Sequence, residues 1–125
     1  VVVNSFVLVQ GEGTQFDVSS SVVRGAGTFT LGAGASLGIS SPQGISASGA
    51  TGSIQVTGTR SFGIDSKYIY YTTTSGTTQV TGSGLPSQVR TLLCASGSTL
   101  ALSQATSVSQ RLDLIGGDLL TDGHP

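Results

Sequence analysis

The chain has 125 residues, 37% of them hydrophobic and only 9% charged, with a formal net charge of −1. That length suits a single domain, 1–125, and the near-neutral balance offers no basic face to attract a phosphate backbone, so nucleic acid is not expected as a partner. No run reaches the roughly 18 consecutive apolar residues of a transmembrane helix, so membrane insertion is not expected either.

Glycine, serine and threonine fill 19, 20 and 16 positions. Such a bias alone would suit a flexible linker, but Val, Ile, Leu and Phe recur between polar residues with the alternation of half-buried strands. Sustained apolar recurrence at three and four residues is missing, and β-branched residues crowd the segments between glycines. The chain therefore reads as all-β. Its one cysteine, Cys94, lies in the apolar run TLLC, has no intrachain partner, and reads as a small buried hydrophobe.

The opening VVVNSFVLVQ lacks the basic flank and cleavage pattern of a secretory signal and reads as a strand. Strands are predicted in order at Phe6–Val9, Gln15–Ser19, Val22–Arg24, Thr28–Leu31, Ser36–Ile39, Ser53–Thr57 and Ser61–Ile64. They continue at Tyr68–Tyr71, Thr78–Thr81, Val89–Leu93, Thr99–Leu102, Ser107–Leu114 and Asp118–Leu120. Corners fall at Gly32-Ala33-Gly34 and Gly116-Gly117-Asp118, where glycine admits the positive φ of a sharp turn.

Gln55-Val56-Thr57-Gly58 returns as Gln79-Val80-Thr81-Gly82, 24 positions on. Periods of 20 to 50 residues are the mark of stacked repeats. At this period three apolar columns emerge: Val9, Leu31, Val56, Val80 and Leu102; Val18, Ile39, Ile64, Val89 and Leu112; and Val23, Ile45, Ile69 and Leu93. Three columns at one period predict a right-handed parallel β-helix (β-solenoid) of about five rungs, each of 21–25 residues with three short strands, stacked on one apolar axis. A two-layer β-sandwich is the rival architecture.

Candidate chemistry is sparse. The acids Glu12, Asp17, Asp65, Asp113, Asp118 and Asp122 and the bases Arg24, Arg60, Lys67, Arg90 and Arg111 are scattered, and Asp17 meets Gly38 at the next rung, so paired carboxylates are not expected. His124 stands beside the terminal Pro125, a poor place for a triad. Asp118 and Asp122 lack the alternate-position acids of a calcium loop. No cofactor or metal is expected. The Thr and Ser files beside the first column are broken by Gly32, Gln55, Gln79 and Ala101, which argues against a flat ice-binding array. The best recognition candidate is Lys67-Tyr68-Ile69-Tyr70-Tyr71: with Ile69 inward, alternation turns Tyr68 and Tyr70 outward beside Lys67, as flat apolar faces for a glycan or protein. The competing reading has these rings covering the coil.

The series GAGTFTLGAGASLGISSPQGI, SGATGSIQVTGTRSF, YIYYTTTSGTTQVTGSGLPSQVRTL and LALSQATSVSQRLDLIGGDLLTDG resembles the repetitive β-solenoid segments of large secreted surface proteins of Bacteroidetes-type bacteria. The resemblance covers about residues 10–123, and GLP before an apolar strand and the closing xLxLxGGxLxTxG are its more distinctive parts. It implies a secreted or cell-surface, non-catalytic scaffold or stalk of an adhesin-like protein, a section of a longer chain exported by the type IX route. The partners it implies are other domains of that parent; the lack of an obvious cap on the solenoid ends points to copies of the chain end to end, and the tyrosines to glycans. The alternatives are a self-assembling extracellular fibre subunit and a carbohydrate-binding module using exposed tyrosines.

Overall fold

The structure, a computed structural model, describes residues 1–72, 76–95 and 99–121. These hold no helix. The strands are β1 (Phe6–Val9), β2 (Gln15–Asp17), β3 (Val23–Gly25), β4 (Thr28–Leu31), β5 (Ser36–Ile39), β6 (Ile54–Val56), β7 (Arg60–Phe62), β8 (Lys67–Tyr70), β9 (Thr78–Val80), β10 (Gln88–Ala95), β11 (Thr99–Ala101), β12 (Ser107–Ile115) and β13 (Asp118–Leu120). Each overlaps a strand predicted from sequence.

Every pairing between these strands is parallel, and every partner lies one turn away. One face stacks β1, β4 and β7; the second stacks β2, β5, β8, β10 and β12; the third carries β3 and β6 low in the stack and β9, β11 and β13 above. This is a parallel β-solenoid of about five turns. Three strands make each of turns one to three. In turns four and five the first two faces run together into the long strands β10 and β12, and the corner between them shrinks to a register shift between Val89 and Thr91. The amides of Arg90 and Thr91 both donate to the Ser66 carbonyl there, as a bulge requires.

Turn length departs from a fixed period. Phe6 pairs with Thr28, 22 positions on, but Ser36 pairs with Lys67, 31 on; Lys67 then meets Thr91 at 24, and Leu92 meets Leu112 at 20. The excess in turn two lies between β5 and β6. There the chain makes two passes over the third face: the Ile45 amide donates upward to the Thr81 carbonyl, while β6 pairs downward with β3. An antiparallel bridge between Ile45 and Gly52 joins the passes, with residues 46–51 as the connecting loop. Gly82 adopts φ +84° beside Ile45, and a Cβ there would stand 2.0 Å from the Ile45 carbonyl oxygen, so only glycine permits the two segments to approach.

The insertion reassigns the columns. Val9 and Leu31 do stack, but beneath Phe62 and not Val56; Val56 belongs to the β3–β6 pair. The longest inward file is Phe16, Leu37, Tyr68, Leu92 and Leu112 on the second face. Phe29 packs edge-on to Phe16, with ring centroids 5.9 Å apart, and against Phe62 at 5.8 Å. Val80, expected inward, is outward and exposed, while its neighbour Gln79 is 1% exposed and lies in the core. The Gln79 amide nitrogen donates to the carbonyls of Ile39 (3.0 Å) and Ser41 (2.9 Å), which satisfies it there.

The core is closed along the sides and open at the ends. Leu112 and Leu114 of the inward files are exposed in the fifth turn, where no further turn covers them, whereas Phe6, Leu8, Ile115 and Leu120 occupy outward-facing positions.

Candidate functional site

The tyrosines face the opposite way to the sequence expectation. Tyr68 and Tyr70 are fully buried, and it is Ile69 and Tyr71 that lie outward and half-buried. The fixed period had aligned Ile69 with Ile45 and Val23; the inserted pass in turn two moves Ile45 to another face, and Ile69 instead stands between Gly38 and Leu93 on the outer surface. Tyr68 stacks between Leu37 and Leu92, and Tyr70 between Ile39 and Cys94. Their hydroxyls donate to the carbonyls of Gly63 (2.6 Å) and Thr81 (2.8 Å). Burial pushes both phenols above their ordinary pKa of 10.0. Rings enclosed in this way offer no face to a glycan, so the recognition platform of Tyr68 and Tyr70 is withdrawn. Lys67 stays outward and half-buried, between Ser36 and Thr91.

The charged residues gather in two places that the sequence did not reveal. At the corner between the first two faces, Arg90 of turn four grips both carboxylate oxygens of Glu12 in turn one, its Nη2 lying 3.3 Å from Oε2. Its Nε is 3.9 Å from an Asp65 oxygen in turn three. The clamp passes over Gly34, where a Cβ would lie 2.9 Å from the Glu12 amide nitrogen and 3.1 Å from its carboxylate, so a side chain in turn two would block it. The hydrogen bond from Arg90, and then its charge, hold the Glu12 carboxyl below its ordinary value. Asp17 accepts from the Ser19 amide (2.9 Å) and from the Tyr71 hydroxyl. Ser19 has φ 53°, a left-handed conformation that this local bond supports. Asp113 is held by Arg111 at 2.7 Å.

Arg60 behaves differently. Its pairing with Phe29 places it at the start of β7, next to the inserted loop. Its Nε donates to the Val56 carbonyl and Nη1 to the Ser46 carbonyl, both at 2.9 Å, and Nη2 reaches the Gly49 carbonyl. The guanidinium thus staples the loop to β6. Among the described residues it has no carboxylate partner, and burial lowers its pKa. It lines a groove of about 340 Å³ formed by residues 47–50 and 55–58. A second groove, of about 280 Å³, is walled by hydroxyls from residues 19–21 and 40–41 with Thr72 and Thr77.

Cys94 is buried, and burial raises its thiol pKa, as expected of a packed hydrophobe. Asp122 and His124 lie outside the described residues. Among those described, no group of three or more His, Cys, Asp or Glu is arranged to hold a metal. Among known protein families, curated proteins and solved structures, none matches this chain.

Proposed function

We propose that the domain is a structural, non-catalytic section of the stalk or scaffold of a bacterial adhesin-like surface protein, secreted and displayed outside the cell. The observation that carries this reading is the stack itself: about five parallel turns on one closed apolar axis, with Arg90 of turn four tied to Glu12 of turn one along a corner. Turns joined in this way hold their ends apart by about 4.8 Å per turn, which is the task of a spacer. The resemblance to Bacteroidetes-type surface solenoids supports the location and a type IX export route, with neighbouring domains of the parent as partners. An antibody raised against residues 1–125 tests the reading on cells that express the parent protein. Immunogold labelling outside the envelope of intact cells is expected; labelling that needs permeabilised cells would overturn it.

A second reading, the extracellular fibre subunit, is favoured by the uncovered inward residues Leu112 and Leu114 in the fifth turn and the half-buried Phe16 in the first. A copy added in register would seat its Phe16 and Val18 over Leu112 and Leu114, continuing two inward files. The same register sets Asp17 above Asp113, two like charges directly opposite each other, which disfavours assembly. Light scattering on size-fractionated protein separates the readings: fibres that lengthen with concentration support the subunit, and monomers at all concentrations exclude it.

A further inference from the structure

We propose that the groove between the inserted loop and β6 binds a small polyhydroxylated carboxylate, such as an acidic sugar unit, with the Arg60 guanidinium as its anchor. A guanidinium carries five N–H donors, and three of those on Arg60 are engaged by neutral carbonyls of Val56, Ser46 and Gly49. Two remain, which suits the two oxygens of one carboxylate. This charge has no carboxylate among the described residues. Arg90 and Arg111 each have one. The cation therefore faces a groove that lacks its counter-charge.

The lining decides what else the ligand carries. Ser48 offers a hydroxyl, while the Thr57 hydroxyl, which donates to the Gly25 carbonyl, and the Gln55 amide, which donates to the Gly52 carbonyl, keep acceptor oxygens for ligand hydroxyls. Ala47, Gly49 and Gly58 are too small to fill the space, and a Cβ at Gly49 would meet nothing within 4 Å. The groove's volume of about 340 Å³ falls at the low end of the range typical of small-ligand pockets. A single anchoring cation, and a lining with no aromatic or long aliphatic side chain, favour one acidic polyol over an acidic peptide. The site is independent of the tyrosines and adds a ligand-holding role to a spacer.

The test is an amide and arginine-Nε NMR titration of the whole domain with sodium glucuronate, at ionic strength held constant with sodium chloride. Glucose and sodium acetate are titrated in parallel. Saturable shifts at Gly49, Gln55, Gly58 and the Arg60 Nε are expected with glucuronate, at least tenfold weaker ones with acetate, and none with glucose. Acetate as strong as glucuronate would reduce the site to a bare carboxylate pocket and overturn the sugar assignment; shifts with glucose alone, or none that saturate, would overturn the site. Because R60Q also releases the loop, the decisive pair is A50E and A50Q, which leave Arg60 and its three carbonyls in place. A50E sets a tethered carboxylate in the groove lining and should bind glucuronate at least tenfold more weakly than A50Q, which adds the same bulk without the charge. Equal binding by the two variants would refute the anchor.

Discussion

The two copies of Gln-Val-Thr-Gly, identical in sequence, carry unequal weight, and exchanging each glutamine for leucine measures the difference. Gln79 is in the core and makes two hydrogen bonds from one nitrogen, to the carbonyls of Ile39 and Ser41. Those carbonyls would not be orphaned in Q79L, because Ile39 also accepts from the Tyr71 amide (3.0 Å) and Ser41 from the Gly44 amide (2.9 Å). The loss is then that of two ordinary hydrogen bonds, about 1–3 kcal/mol in all, and not the larger penalty of stranded polar groups. Gln55 is half-buried and makes one bond, to the Gly52 carbonyl at 2.9 Å. Q55L should therefore cost at most about 1 kcal/mol. For a chain of this size a kcal/mol moves the melting temperature by roughly 4 °C, so circular-dichroism melts should place Q79L about 4–12 °C below the parent and Q55L within about 4 °C of it. Q79E should be worse than Q79L at neutral pH, since its carboxylate faces two carbonyl oxygens and donates nothing. Protonation restores one donor, which places the folded-state pKa of Glu at this position above its unfolded value. The stability is accordingly present below the ordinary carboxylate range and lost as pH rises through the raised value. A Q55L variant as destabilised as Q79L, or a Q79L variant that melts with the parent, would refute this account of the third face.

Three further outcomes follow from geometry already described. Glu12 has a depressed pKa, so its clamp on Arg90 contributes at neutral pH and is lost as pH falls below the ordinary value of 4.5 and through the depressed one; the melting difference between parent and E12Q should be largest near neutrality and vanish in acid, and a difference that persists in acid would show that the carboxylate charge is not its source. The phenols of Tyr68, Tyr70 and Tyr71 are all raised, chiefly by burial, so they stabilise the fold fully below the ordinary value of 10.0 and lose that contribution as pH rises above it. Phenolate absorbance of Tyr68 and Tyr70 should appear only together with alkaline unfolding, and a reversible titration of more than one of the three tyrosines near pH 10 in the folded protein would contradict the burial. Gly13 and Gly82 both have positive φ, yet a Cβ at Gly13 meets nothing within 4 Å; G13A should cost about 1–2 kcal/mol of left-handed strain, whereas G82A should prevent the third and second turns from closing and yield a protein without a cooperative melt.

Strand positions and parallel stacking were legible because alternation and glycine corners are local signals that each turn repeats. Register was not, because it depends on the length of every turn, and a fixed period carried through an insertion shifts all later columns together. The long stretch from Ser40 to Ser53 was the available clue: it holds no alternating run beyond Ile45, so it reads as loop, and a loop inside a coil lengthens the turn that contains it. The tyrosine error descends from that slip, since moving a strand by one residue exchanges its inner and outer faces. The Glu12–Arg90 clamp was hidden for another reason: residues 78 positions apart meet only through stacking, and no local pattern marks the meeting.

The double pass in turn two divides the third face into two hydrogen-bonded territories. Below it β6 is bound to β3, above it Ile45 is bound to Thr81, and the two are joined through the Ile45–Gly52 bridge and the bond from the Ser53 amide to the Gly44 carbonyl, 2.9 Å long. Opening that junction breaks the third face without separating a strand from its neighbour in the next turn. The seam is thus a weak point of the third face alone, since β4–β7 and β5–β8 continue across the same level: hydrogen exchange should find the Ser53 and Ile45 amides opening ahead of the strands on the other two faces.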